Sequence, residues 1–349
     1  MSLTKIPLSL PGKSKLKKKT INVLAGDIGG TKTNLALFKA DVNGIEQVTE
    51  SSFQSSKFSS FEDMLKEFLA AHDNIKLDRI CLGVAGPVFQ GKVELTNLSW
   101  YIDASALAKL AKTKSVTLIN DLEATAFGLA GLSENDIIMI HPGAAEQGGN
   151  LAILAPGTGL GEGGLYWDGK SYFPFPTEGG HSDYSPRTEF DLELYSFLQK
   201  RYEVVSWEKV IAGPGIRDIY DFLCEVKKRP RQEWLMRAFE NQDPSAVISE
   251  SGLAESDPTC SEAMQNYVRY LARESSNLVL KLKATGGLFL GGGIPPKITS
   301  LLQQNVFYDN FLDCDRMQDL IRKVPVAILL NDKTALIGAG YYGSYGITK

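Results

Sequence analysis

The chain has 349 residues, 43% of them apolar and 22% charged, which is long enough for two domains with sizeable cores and unlike a disordered or fibrous composition. A net charge of −4 gives no electrostatic case for nucleic acid as the main partner, and no apolar run approaches the roughly 20 residues of a membrane helix. The four cysteines (Cys81, Cys224, Cys260 and Cys314) follow no CxxC or Cys/His ligand spacing, which argues against structural zinc and for reduced thiols.

In chain order, a basic run comes first: Lys13, Lys15, Lys17, Lys18 and Lys19 follow Pro7, Pro11 and Gly12. Residues 1–20 hold no secretory h-region and no arginine of the kind a mitochondrial presequence favours. A cytoplasmic protein with a solvated, poorly ordered basic tail is expected, with weak contact to an anionic surface or partner as the other reading. From Ile21 a strand over 21–26, a tight turn and a strand over 33–38 are predicted. Asp41-Val42-Asn43-Gly44 then supplies a hairpin turn into a third strand near 45–54. Apolar residues at 61, 64, 65, 68 and 69 form a helical stripe. A buried strand from Arg79 closes on Gly86-Pro87, and a helix near 104–112 leads to the strand Val116–Ile119. The order β-β-β-α-β-α-β describes an α/β layer on a mixed sheet.

The second half replays this opening. Asn150–Ala155, a turn at Gly157 and a strand over Gly163–Trp167 are followed by helical patterns over 188–201, 216–226, 233–240 and 261–282. A short strand at Gly287–Leu290 ends in Gly291-Gly292-Gly293, and a last strand over 324–330 precedes a final helix over 333–342. Two similar α/β lobes, each with its own glycine turn, imply a cleft between them. The predicted division is 21–131 plus 333–349 for a small α/β domain and 132–332 for a large one.

The two turns carry the chemistry. Gly26-Asp27-Ile28-Gly29-Gly30-Thr31 and Gly157-Thr158-Gly159-Leu160-Gly161 each follow an apolar strand and lead into another strand-like run. Glycines without Cβ let backbone N–H groups approach an anion, and the Thr hydroxyl adds a donor. Each turn alone is also an ordinary hairpin. The P-loop spacing fails because Thr31 separates Gly30 from Lys32. Gly159–Gly164 fits GxGxxG but opens no helix. Asn120-Asp121 stands where a buried strand gives way to a helix, at the sheet edge that ligands favour; on position alone Asp121 is equally a helix N-cap. Glu178-Gly179-Gly180-His181 can converge on one small polar ligand, or be a surface turn.

Together these segments resemble the bacterial-type glucokinases of the actin-like superfamily. The resemblance covers residues 21–340 in the family's order: the first phosphate motif at Gly26–Thr31, the strand end Leu118-Ile119-Asn120-Asp121, the second phosphate motif at Gly157–Gly161, the sugar turn Glu178–His181, and the adenosine motif Phe289–Ile294. It implies a two-lobed actin-like ATPase (ribonuclease H-like) α/β fold with the active site in the interdomain cleft. It also implies a Mg²⁺-dependent transfer of the ATP γ-phosphoryl group to the 6-hydroxyl of glucose. Asp121 would be the general base. Asn120, Glu178, His181, Glu208 and Asn97 would hold the sugar. Asp27 would lie near Mg²⁺, through water. Gly26, Ile28, Gly29, Gly30, Thr31, Gly157, Thr158 and Gly159 belong to the phosphate motifs, and Gly291, Gly292 and Gly293 would pass beneath the adenosine. A homodimer is typical of similar enzymes. Asp183–Val205 contains no cysteine, so the zinc-bearing branch is disfavoured. A sugar-independent nucleotide-switch ATPase and a sugar-sensing regulator are the competing readings. The polar constellation speaks against the first, and the shortness of the tail before Ile21 against the second.

Overall fold

The computed structural model describes residues 3, 6–16, 19–72, 75–95, 98–144 and 148–346. The chain forms two compact units. One comprises Ser2–Asn135, Leu165–Pro176 and Asn331–Lys349; the other comprises Asp136–Gly164 and Thr177–Leu330.

The amino-terminal unit is built on strands β1 (Ile21–Ile28), β2 (Lys32–Ala40), β3 (Ile45–Gln54), β4 (Arg79–Val84) and β7 (Val116–Asn120), in the order β3-β2-β1-β4-β7. The hairpins β1–β2 and β2–β3 are antiparallel, whereas β1–β4 and β4–β7 are parallel. Strand alternation sends successive side chains to opposite faces. Leu24, Leu35, Leu37 and Leu82 pack on one face with Phe61, Met64, Leu65 and Phe68 of helix α1 (Phe61–Ala70), the stripe read from the sequence. Val23, Ala25, Ala36 and Cys81 pack on the other face with Ala124 of α3 (Asp121–Gly128). Leu336 and Ala339 of the C-terminal helix Thr334–Tyr341 join that second layer, as does Tyr345. A short hairpin, β5 (Lys92–Leu95) with β6 (Trp100–Asp103), and helix α2 (Ala104–Leu110) lie between β4 and β7 in sequence.

The expectation of a poorly ordered tail over 1–20 is corrected for its described residues. Leu8 forms a parallel bridge with Tyr172; the Ser9 N–H donates to the Tyr172 carbonyl at 2.8 Å, and the Tyr172 N–H to that of Pro7 at 2.8 Å. The Gly12 N–H donates to the Tyr345 carbonyl, and Ile6, Leu8 and Leu16 are buried. Charge counting hides this, because the apolar side chains are interleaved among lysines and prolines. These bonds also place Leu165–Pro176 with the amino-terminal unit, where a division at 131/132 and 332/333 had been expected.

The second unit contributes β8 (Ile137–His141), β9 (Leu151–Pro156), β12 (Gly287–Leu290) and β13 (Val326–Leu329). With β10 (Leu160–Trp167) and β11 (Tyr172–Thr177) the sheet order is β11-β10-β9-β12-β13-β8. Strands β9, β12 and β13 run parallel. Against them pack α4 (Glu189–Leu198), α5 (Trp207–Ile211), α6 (Gly213–Glu225), α7 (Glu233–Phe239), α8 (Pro244–Leu253) and the 25-residue α9 (Pro258–Leu282). Asp257 caps α9 by accepting from the Cys260 N–H at 2.8 Å, and left-handed Lys283 (φ 48°) ends it.

Candidate active site

In the amino-terminal unit the predicted residues converge on the C-terminal edge of β1, β4 and β7. Asp27 of β1 is in register with Gly83 of β4, and Val84 with Asn120 of β7. A Cβ on Gly83 would lie 2.9 Å from the Ala124 Cβ and 3.9 Å from the Asp121 Cα, so only glycine lets α3 start this close to the sheet. Burial, and then the negative charge of Asp121, push the Asp27 carboxyl up to about 6; Asn34 and Lys32 act in the opposite direction. Asn34 Oδ1 accepts from the Ser52 hydroxyl at 2.8 Å, which leaves its Nδ2 amide to donate to Asp27.

Asn120, not Asp121, is the N-cap of α3. Its Oδ1 accepts from the Leu122 N–H at 2.8 Å and from the Glu123 N–H at 3.4 Å. Asp121 occupies the first helical position, and its Oδ1 accepts from the Leu122 N–H at 2.9 Å. The capping duty that competed with a chemical role for Asp121 therefore falls mainly on its neighbour.

The turn after β1 is held from beneath. The Gly29 N–H donates to the Lys32 carbonyl at 3.1 Å and the Ser55 N–H to that of Thr31 at 3.0 Å. The Ser55 hydroxyl donates to the Gly29 carbonyl at 2.9 Å and also meets Thr33 Oγ1 at 3.0 Å. Gly30 and Thr31 are exposed at its tip. Gly26 and Ile28, counted with this motif in the sequence, belong to the packing: a Cβ on Gly26 would press into Leu82 at 2.6 Å, and Ile28 is buried in the core.

The second unit carries two glycine turns on neighbouring parallel strands. Gly157–Gly159 follows β9, and the Gly157 N–H donates to the Gly159 carbonyl at 2.8 Å. Gly291–Gly293 follows β12; the Gly291 N–H donates to the Leu154 carbonyl at 2.9 Å, and the Ile294 N–H to that of Pro156 at 3.3 Å. Gly292 has φ +77°, and a Cβ there would overlap the Pro156 carbonyl oxygen. The Gly213 N–H, opening α6, donates to the Gly157 carbonyl at 2.8 Å. Glu208 of α5 also supports the first turn: its Oε2 accepts from the Leu160 N–H at 3.2 Å, and its Oε1 pairs with Lys209 at 3.1 Å.

Glu178 and His181 are the ends of a 3₁₀ turn, Gly179–His181, in which residues three apart eclipse. Both are exposed, and the His181 N–H donates to the Glu178 carbonyl at 3.1 Å. A Cβ on Gly180 would overlap the Leu160 carbonyl, and one on Gly179 would overlap Glu162 Oε2. The exit is tied to the start of α5: Asp183 bridges to Ser206, and the Trp207 N–H donates to the Ser182 carbonyl at 2.9 Å.

Asp27, Gly29–Thr31, Asn120 and Asp121 are thus gathered in one unit. Gly157–Gly159, Glu178, His181, Glu208 and Gly291–Gly293 are gathered in the other. Asn97 lies outside the described residues. Sequence reasoning missed Asn34, whose signal is a polar residue in an apolar strand, and Gly213, whose signal is a Gly-Pro-Gly helix start.

The family model described as Glucokinase matches residues 24–345. A curated glucokinase from a Nostoc strain is 37% identical over 332 residues, spanning 91% of this chain and 97% of its own length. The crystal structure of a glucokinase from an Antarctic psychrotroph is 31% identical, with a TM-score of 0.79 and coverage of 92% of this chain and 98% of that one. The glucokinase of Balamuthia mandrillaris in complex with glucose is 23% identical, with a TM-score of 0.75 and coverage of 93% and 94%; that likeness speaks for the fold alone.

Proposed function

The chain belongs to the glucokinase family and is an ATP-dependent hexose kinase, and from that premise we propose that Asp121 is the general base of a transfer from ATP to the glucose 6-hydroxyl. The carrying observation is the placement of Asp121 at the first position of α3, beside Asp27, with the capping load taken chiefly by Asn120. The 6-hydroxyl proton passes to the Asp121 carboxylate as the oxygen attacks the γ-phosphorus, and the bond to the departing ADP breaks. Phosphoryl transfer has a loose transition state, so positioning and charge neutralisation supply most of the acceleration.

The remaining roles follow from the donors each element presents. The Gly29 and Gly157 N–H groups close their own turns, so the amides of Gly30, Thr31, Thr158 and Gly159 meet the phosphates, and Gly291–Gly293 lies under the nucleoside. Glu178, His181 and Glu208 take hexose hydroxyls. Since the Asn120 carbonyl is engaged as a cap, its amide is the group it offers the sugar. Two carboxylates close enough for Asp121 to raise Asp27 form a donor set that suits a hard divalent cation. Asp27 would hold Mg²⁺ through water, and bound there the ion would neutralise phosphate charge. Excluding water, the rival nucleophile, is the further demand on the site.

The test is a coupled ADP-release assay with Mg-ATP and a panel of hexoses, beside a no-sugar control. Turnover with glucose should fall about 10²–10⁴-fold in Asp121→Asn while glucose affinity, measured by calorimetry, stays close to wild type. Near wild-type turnover in that variant rules the base out. ATP hydrolysis indifferent to every sugar would instead favour the ATPase reading. The homodimer is part of the same reading, and light scattering checks it: a particle of twice the monomer mass is expected.

A further inference from the structure

Glu162 lies on β10 between Gly161 and Gly163, a position that reads as strand edge or solvent face, yet it is only 1% exposed. Its side chain reaches under the Glu178–His181 turn, where Oε2 occupies the space that a Gly179 Cβ would need. Its main chain joins the same construction. The Thr177 hydroxyl donates to the Glu162 carbonyl at 3.0 Å, and the Gly179 N–H donates to that hydroxyl at 3.1 Å. Beneath Glu162 stands a second fully buried carboxyl, Glu274 of α9. Glu274 accepts from Asn277 Nδ2 at 2.7 Å and from Lys281 Nζ at 2.9 Å. The Glu162 carboxyl instead hydrogen-bonds Glu274 itself, and among the described residues its Oε1 is buried without a hydrogen-bond partner.

Two adjacent buried carboxyls cannot both ionise cheaply, and the one lacking donors keeps the proton. Burial first, and then the charge of Glu274, raise Glu162 to about 8, while Lys281 acts in the opposite direction. The charged groups acting on Glu162 are therefore Glu274 and Lys281, both on α9. Thr177 and Gly179 meet it from the turn with a hydroxyl and with backbone. The mechanism above uses none of these groups.

We propose that Glu162 is a positioning residue for the hexose, its carboxyl backed by Glu274 and propping the Glu178–His181 turn from below. This rests on the reading of that turn as the hexose-binding one. A neutral carboxyl fits closely against Gly179, and ionisation drives it away from Glu274 and into the turn, which displaces Glu178 and His181. The consequence belongs to sugar affinity and leaves nucleotide affinity alone.

The experiment measures glucose KM, ATP KM and kcat from pH 7 to 9 for wild type, Glu162→Gln, Glu162→Val and Glu178→Gln. For a group titrating near 8, wild-type glucose KM should rise up to about tenfold across that range, with ATP KM unchanged. Glu162→Gln keeps the shape without the charge, so its glucose KM should stay near the pH 7 wild-type value and remain flat. Glu162→Val removes the prop and should raise glucose KM at every pH. Parallel pH profiles in wild type and Glu162→Gln overturn the proposal, as does a change of both KM values together in Glu162→Val. Glu178→Gln separates the two failures. If it raises glucose KM while the Glu162 variants do not, the turn binds sugar and the prop is refuted; if it leaves glucose KM unchanged, the hexose reading of the turn falls first.

Discussion

At the scale of single residues, two neighbours at the end of β7 divide the labour between structure and chemistry. Asn120 caps α3, so Asn120→Ala should cost about 1 kcal/mol in urea unfolding, whereas Asn120→Asp should retain most of that stability because aspartate caps as well. Equal losses in the two variants would mean that the cap matters little. Asn120-Asp121 was legible because a polar pair ending an apolar strand is conspicuous; which member caps was not, since both residue types suit that position. Glu162 was not legible at all. The helix that buries it comes far later in the chain, and nothing local distinguishes it from a solvated strand residue. Its raised folded value, about 8 against 4.5 for the free side chain, sets a sign. The folded state binds the proton more tightly, so this contribution to stability is complete below pH 4.5 and is lost as pH rises through about 8. Thermal melts should therefore show wild type losing Tm relative to Glu162→Gln between pH 5 and 8.5; parallel curves would mean that Glu162 is already ionised in the native protein.

At the scale of elements, strands that run apolar on both faces and helices with a full apolar stripe were readable, as β1, β2, α1 and α9 illustrate. Those that escaped have identifiable causes. Strands β5 and β6 are four residues each, too short for a period to register. Strand β11 contains Pro174 and Pro176, which speak against a strand on local grounds. Helix α8 is rich in Ser and Gly, weak helix formers, and is held by packing against α9. The glycine turns were legible as motifs, but the sequence could not show that those after β9 and β12 touch. Gly292→Ala tests that contact: with φ +77° and the Pro156 carbonyl in the way, it should destabilise by about 1–3 kcal/mol and raise ATP KM more than glucose KM. Steady-state kinetics showing the reverse selectivity would detach Gly291–Gly293 from the nucleotide.

At the scale of the whole molecule, the amino-terminal segment was the largest departure from expectation. Its lysines dominate the composition, but Ile6, Leu8 and Leu16 are what the fold uses. Each buried aliphatic contributes about 1.5–3 kcal/mol before the entropy of ordering the segment is subtracted. Removing residues 1–16 should therefore lower Tm by roughly 1–3 °C, a net loss of about 1–2 kcal/mol. Scanning fluorimetry of the truncated chain checks this, and an unchanged melting point would deny the segment a structural role.

The amino-terminal unit is discontinuous, and its second helical layer combines α3 with the helix Thr334–Tyr341 from far later in the sequence. Gly338 and Gly128 have no room for a Cβ because the C-terminal helix and α3 meet backbone to backbone, and Arg79 Nη1 donates to the carbonyls of Gly343 and Ser344. During synthesis the sheet β3-β2-β1-β4-β7 emerges before Asp136–Leu330, but one of its faces is covered by α3 alone until the helix Thr334–Tyr341 and Tyr345 follow. The intervening unit, closed within Asp136–Leu330 apart from the tip of its β10–β11 hairpin, can collapse earlier. That sheet is then completed after the intervening unit, and a ribosome-stalled chain ending before Thr334 should be protease-sensitive in residues 21–128 while Thr177–Leu330 already resists.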